Sequence, residues 1–324
     1  MNGGRMEDGP MEDGTIVEEA PGVWRVDLRW MGMPRQIASY LMADGGDLAV
    51  IETGPASTLP ALLDALRSLG HGPEDVTHAL VTHIHLDHSG GAGALLRLAP
   101  RARVHVHPAG APHLADPSRL LASAAQLYGE RMDEMWGETL PVPDDRITIL
   151  EDGDEVRVGG RVLRAVETPG HAGHHHAFND PEARLVFTGD VGGIRVAGAR
   201  YVCAPTPPPE IDVALWRESV RRLRALRPSV LLPTHFGAAA DPEWHLDDLE
   251  RRLDWIDAGA APLVAAGAGV AELAEAMRAR AEEDILAATG SPELVRAYEL
   301  AVPYPMMAAG VHRHLTRRKG RKAG

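Results

Sequence analysis

The sequence predicts an α/β protein with a helical C-terminal extension, on three observations. Short apolar runs with strand periodicity alternate with runs of helical spacing through residues 21–256. Four of the strand-like runs end abruptly at Gly, Pro or Thr beside a histidine or aspartate. Beyond Trp244 the strand pattern ceases and only helical spacing continues.

Residues 1–20 are expected to form a disordered lead, being rich in Gly, Asp and Glu with Met-Glu-Asp-Gly occurring twice. Trp24, Val26, Leu28 and Trp30 then alternate with Arg25, Asp27 and Arg29, the period of a half-buried strand. Segments 37–42 and 48–51 read as the next strands, joined by a turn at Asp44-Gly45-Gly46. A helix over 59–69 stops at Gly70. The strand 76–81 carries at its end Thr82-His83-Ile84-His85-Leu86-Asp87-His88-Ser89-Gly90-Gly91. A helix over 93–98 and a strand at 104–106 follow. Residues 108–140 form a helical insertion over the sheet edge, with Leu120, Leu121, Ala124 and Leu127 on one face. Strands near 147–150, 156–158 and 162–166 come next, the last running into Thr168-Pro169-Gly170-His171. The strand 185–187 runs into Thr188-Gly189-Asp190. After a Pro-rich loop and a helix over 213–226, the strand 230–232 runs into Pro233-Thr234-His235. Helices over 244–256, 271–287 and 292–315 complete the chain. The expected organisation is a catalytic domain over 21–256, a helical extension over 257–312 and a basic tail over 313–324.

Charge narrows the function classes. The 324 residues carry a net charge of -13. The six cations of the last fourteen residues stand apart, leaving the body with 27 basic against 46 acidic groups, a net of -19. Such a surface repels phosphate backbones and argues against nucleic acid as a partner. A single cysteine, Cys203, excludes an intrachain disulfide, and no stretch is long and apolar enough to span a bilayer. The expectation is a cytoplasmic protein without a membrane partner.

Four strand ends thus carry metal-ligand residues: His83/His85/Asp87/His88, His171, Asp190 and His235. A strand end fixes the backbone and leaves the side chain at the sheet rim, where groups distant in sequence can meet. His83 and His85 are two apart and share one side of an extended segment, so they can chelate one ion. Asp87 and His88 come where the chain turns toward a helix and can point at a second. His171 completes the first set and His235 the second, and Asp190 can place one oxygen on each. Two ions about 3.5–4 Å apart can hold a hydroxide at neutral pH, a nucleophile for hydrolysis. Zinc is the first choice for imidazole and carboxylate ligands, and manganese or iron also accept them.

The succession His-x-His-x-Asp-His, Thr-Pro-Gly-His, Thr-Gly-Asp and Thr-His resembles the metallo-β-lactamase superfamily, in order and over roughly residues 21–256. That resemblance implies a four-layer αβ/βα sandwich with metals at one edge. It implies His83, His85 and His171 on the first ion, Asp87, His88 and His235 on the second, and Asp190 between them, with Asp87 orienting the nucleophile. A bridging Asp190 is the pattern of the glyoxalase II and lactonase-like branches, not of the zinc β-lactamases proper. Lactonases of the family carry Tyr where this chain has Gly193, and many relatives carry Asp where it has Glu52, a position that supports the metal loop. The implied activity is hydrolysis of an ester, lactone or thioester. The alternatives are a phosphodiesterase or nuclease of the same fold and a mononuclear iron sulfur dioxygenase.

The remaining candidates concern the surroundings. His174, His175 and His176 are expected to support the site or lie at the surface, although a register shift would make one of them a ligand. His105, His107 and His113 are expected at the surface or lining a pocket. Tyr128, Met132, Met135 and Trp136 of the insertion, with Tyr298, Tyr304, Met306 and Met307 of the extension, could line a pocket for a small-molecule substrate with an apolar part. The apolar C-terminal helices offer a face for a homodimer.

Overall fold

Among the described residues twelve strands form two sheets, and side-chain parity decides which residues face between them. The computed structural model describes residues 15–196, 199–301 and 303–322. The first sheet contains β1 (Ile16–Ala20), β2 (Val23–Asp27), β3 (Ala38–Asp44), β4 (Asp47–Ile51), β5 (His78–Leu80), β6 (Arg103–Val106) and β7 (Ile147–Ile149), in that order. Its first four strands are antiparallel neighbours, and β4 to β7 run parallel. The second sheet contains β8 (Glu155–Val158), β9 (Arg161–Glu167), β10 (His176–Asp180), β11 (Leu185–Phe187) and β12 (Val230–Leu232), with spatial order β12-β11-β10-β9-β8. Within this second sheet β11 and β12 pair in parallel and the other neighbours antiparallel.

Alternation along the strands sorts residues between three cores. Tyr40, Met42, Leu163, Ala165, Phe178 and Phe187 meet in the layer between the sheets. Tyr40 and Phe187 touch there edge to face, with centroids 5.3 Å apart. Their neighbours point the other way. Leu41 and Val50 pack under the helices Leu59–Ser68 and Ala92–Leu98. Ala177 and Val186 pack under the helices Val213–Ala225 and Pro242–Trp255. The result is helix, sheet, sheet, helix: the expected αβ/βα sandwich. The Asp44-Gly45-Gly46 turn forms as read, and its two central glycines take the positive φ values, 56° and 92°, that a two-residue hairpin requires.

The expected organisation needs several corrections. Of the lead 1–20, residues 1–14 lie outside the described residues, whereas Ile16–Ala20 forms β1 by pairing with β2. Strand β10 is also absent from the sequence reading. Its polar residues His176, Asn179 and Asp180 carry no strand signal, yet the strand is buried throughout because both sheet neighbours and both faces cover it. Arg161 Nε donates to Asp180 Oδ2 at 3.0 Å and so neutralises the buried carboxylate. His105 and His107 are buried in β6 and just after it, not at the surface. No chain break marks position 256: the helix Pro242–Trp255 continues through one wide turn, Ile256–Ala260, into the helix Ala261–Ala265. Extension residues Leu273, Ile285, Tyr298 and Met307 share one core with Val186 and Trp216 of the domain. The expected helix 292–315 is two helices, Pro292–Ala301 and Tyr304–Lys322, because Pro303 and Pro305 cannot continue the first helix but suit the start of a new one. That last helix carries on past Arg313 to Lys322.

Gly170 shows how tightly this packing fixes the loop after β9. Its φ is +138°, and a Cβ built on it would stand 2.3 Å from Trp216 Cα and 2.5 Å from Trp216 N. Trp216 is fully buried and its Nε1 donates to Val191 O at 2.8 Å, so it has no room to retreat. Gly170→Ala is therefore expected to destabilise the fold by about 3 kcal/mol. Urea unfolding of the two proteins checks this; equal midpoints would show that the loop yields.

Candidate metal centre

The four ligand-bearing segments leave the sheets at the C-terminal ends of β5, β9, β11 and β12. Past β5, His85 caps the short helix Leu86–Ser89, which holds Asp87 and His88. His171 follows β9, Asp190 follows β11 and His235 follows β12. The structure brings all seven together in two groups. One is His83, His85, His171 and Asp190; the other is Asp87, His88 and His235. Within each group the ligand atoms lie within 4.8 Å of one another.

The distances place Asp190 between the groups. Its Oδ2 lies 3.4 Å from His171 Nε2, whereas its Oδ1 lies 3.2 Å from His88 Nε2 and 3.5 Å from His235 Nε2. Asp87 Oδ2 lies 3.3 Å from His235 Nε2 and 3.7 Å from His88 Nε2. On the other side, His85 Nδ1 stands 2.9 Å from His83 Nε2 and 3.1 Å from His171 Nε2.

Neighbouring groups aim these rings. His171 Nδ1 donates to Pro205 O at 2.9 Å, and His235 Nδ1 donates to Gln36 O at 2.7 Å. A carbonyl only accepts, so the proton of each neutral ring sits on Nδ1 and the Nε2 lone pair faces the centre. Glu52 serves His88 and the β5 loop together. Its Oε2 lies 3.3 Å from His88 Nδ1, and its Oε1 accepts from Thr82 N at 3.3 Å. Glu52 holds φ at +63° to do so, a conformation costly to a non-glycine residue and kept only where surroundings fix it.

The electrostatics favour cations. Burial lowers the pKa of His83, His85 and His171 and so favours the neutral rings, the form that binds a metal. For His88 and His235 burial acts downward too, but the carboxylates of Asp87 and Asp190 outweigh it and raise both. Burial opposes ionisation of Asp87, yet His88 and His235 hold its carboxyl down at about 2. Both ring nitrogens of His88 and Asp190 Oδ1 are buried, and the 3.2 and 3.3 Å contacts of His88 to Asp190 and Glu52 lack hydrogen-bond geometry. Buried donor atoms left in this state are costly unless a cation satisfies them. The donor set of five imidazoles and two carboxylates suits two divalent transition-metal ions.

The other histidines separate. His175 is not among the converging ligands: its Nδ1 meets Thr168 Oγ1 at 2.9 Å and its Nε2 accepts from Val191 N at 3.4 Å, tying the His171 loop to the Asp190 turn. His176 packs against His107, with ring centroids 4.7 Å apart, away from the centre. His174 and His113 line the cleft. Gly193 has φ +79°, and a Cβ there would stand 2.7 Å from Val202 Cγ1, so the turn admits no side chain.

A cleft of about 440 Å³ opens over His85, Asp87, Asp190 and His235. Of the expected pocket residues, Tyr128, Met135, Trp136 and Met306 line it. Tyr298 instead donates to Tyr201 O, while Tyr304 and Met307 line a separate small pocket beside Cys203. The sequence reading missed Trp30, Gln36 and Pro205, which reach the cleft or the ligands through loops with no motif to mark them.

Residues 32–235 match the model of the Metallo-beta-lactamase superfamily, and the chain belongs to it. Metallo-beta-lactamase fold-containing protein ST1585 of Sulfurisphaera tokodaii is 30% identical over 183 residues, which are 56% of this chain and 67% of that protein. Its crystal structure aligns at a TM-score of 0.56. Atrochrysone carboxyl ACP thioesterase of Aspergillus fumigatus is 27% identical over 64% of this chain, but the match spans only 39% of the fungal protein. A Beta-lactamase domain protein from Burkholderia ambifaria, 20% identical with a TM-score of 0.66, covers 96% of this chain and is covered to 93%. It shares the fold, including the C-terminal helical region.

One support of the site titrates away from it. His245, fully buried on the helix Pro242–Trp255, donates from Nε2 to Gly192 O at 2.7 Å and so holds the turn that carries Asp190. Burial lowers its pKa from 6.5 to about 4. The unfolded chain therefore binds this proton first on acidification. The contribution is full above pH 6.5 and is lost as pH falls from there through about 4, by about 3 kcal/mol. His245→Gln, which keeps the donor and cannot titrate, is expected to flatten the fall of the urea midpoint between pH 6.5 and 4. Parallel curves for the two proteins would remove His245 from this role.

Proposed function

We propose that this member of the metallo-β-lactamase superfamily is a dinuclear metal-dependent hydrolase acting on an ester, lactone or thioester with an apolar acyl part. The observation that carries the reading is the placement of the seven ligand residues under a cleft whose walls are largely apolar. His83, His85 and His171 would hold one ion and Asp87, His88 and His235 the other, with Asp190 shared between them. Bound ions of this kind acidify water to a nucleophile at neutral pH and polarise a carbonyl oxygen.

The chain's own groups do the rest. Asp87 is the most exposed of the second group and lines the cleft, where its carboxylate would orient the attacking water. Pro205 O and Gln36 O keep the protons of His171 and His235 on the far nitrogens. Trp30, Met135 and Trp136 exclude water from one side of the cleft. The likeness to a fungal acyl-carrier thioesterase favours a thioester among the three bonds. A phosphodiester is disfavoured by the apolar walls and the acidic body. The second group of ligands, complete with His235, argues against a mononuclear iron dioxygenase.

The test is a kinetic screen of zinc- and manganese-loaded protein against acyl thioesters, lactones, phosphodiesters and β-lactams. Hydrolysis of an apolar acyl thioester or lactone is expected. Replacing His83 or Asp190 by Ala should lower kcat/KM roughly 1,000-fold or more. Unchanged turnover in either variant would contradict the assignment.

A further inference from the structure

Tyr128 ends the helix Ser118–Tyr128 and lines the same cleft as His85, Asp87 and Asp190. Its ring meets Trp136 edge to face, with centroids 5.0 Å apart, and Trp136 stacks on Trp30 at 5.2 Å. Trp30 is anchored in turn: its Nε1 donates to Met135 O at 2.7 Å, an oxygen that also accepts from Ser57 Oγ at 2.8 Å. The phenol is thus held in a rigid aromatic wall. Its hydroxyl, by contrast, donates to a thioether, Met306 Sδ, at 3.7 Å.

That pairing is mismatched. A phenol is a good donor and a thioether a weak acceptor, so most of the hydrogen bond is unspent in apolar surroundings. Met306 comes from the opposite wall, on the helix Tyr304–Lys322, and its unbranched side chain rearranges easily. Burial, reinforced by the charge of Asp87, raises the pKa of the phenol, which therefore keeps its proton as a donor. A ligand oxygen entering the cleft offers a much stronger acceptor at small steric cost.

We propose that Tyr128 is the substrate-binding donor of the cleft, its O–H turning from Met306 Sδ to an oxygen of an acyl or carboxylate ligand whose apolar part lies along Trp136. The proposal deepens the hydrolase reading and rests on it for the class of natural ligand. The Tyr128–Met306 contact joins the two walls of the cleft, so binding trades a contact between walls for one to the ligand.

Binding of two probes to the full-length, zinc-loaded chain tests this, read by titration calorimetry. One is 2-naphthoate; the other, 2-methylnaphthalene, has the same rings and no oxygen. Tyr128→Phe is expected to weaken 2-naphthoate about tenfold and to leave 2-methylnaphthalene unchanged. Met306→Leu removes the sulfur acceptor and keeps the donor, so it should bind 2-naphthoate as tightly as the parent or tighter. Equal affinity of parent and Tyr128→Phe for 2-naphthoate, equal weakening of both probes, or no binding of 2-naphthoate by the parent would each overturn the proposal. Turnover is not read, so a failed substrate screen refutes the hydrolase reading without touching these outcomes.

Discussion

Five imidazoles and two carboxylates converge at one rim of the sandwich, and the rest of the structure bears the cost of holding them there. Burying neutral imidazoles and carboxylates together costs free energy unless each group finds a partner, and the buried carboxylates need a counter-charge. The carbonyls of Gln36 and Pro205, the Glu52 carboxylate and the His175 ring fix each group from outside. This explains why a non-glycine residue tolerates a left-handed backbone at Glu52 and why Gly170 must lie against the Trp216 backbone. Both are ways of delivering a ligand to a point that the sheets alone do not reach.

The cleft above that point belongs to two segments that do not contribute ligands. The insertion supplies Tyr128 and Trp136, and the extension supplies Met306. Because the extension shares a core with Trp216 and Val186, it is as much a part of the sandwich as the helix Val213–Ala225. The converging residues thus sit on strand ends, while the walls of the cleft above them come from other parts of the chain.

The seven converging residues could be picked out of the sequence because each sits beside a local signal, a strand period ending in Gly, Pro or Thr. Most individual strands were legible for the same reason, as far as alternation reaches, while their division into two sheets came from the family resemblance. Strand β10 escaped because burial on both faces removes the alternation, and its polar residues find partners only in the folded sheet, as Asp180 does in Arg161. Strand β1 escaped because its Glu-rich sequence owes its form to pairing with β2. The place of Tyr128 opposite Met306, 178 residues later, is a tertiary fact with no local trace. The burial of His105 and His176 has no local trace either, since nothing in their neighbourhood reveals that other strands cover them.

The central claim is that the converging ligands hold two ions, divided as the geometry divides them. Elemental analysis of purified protein by plasma mass spectrometry, for the parent and for His88→Ala, tests it most directly. Two transition-metal ions per chain in the parent and one in the variant are predicted. A single ion in the parent, or none above background after metal loading, would contradict the account.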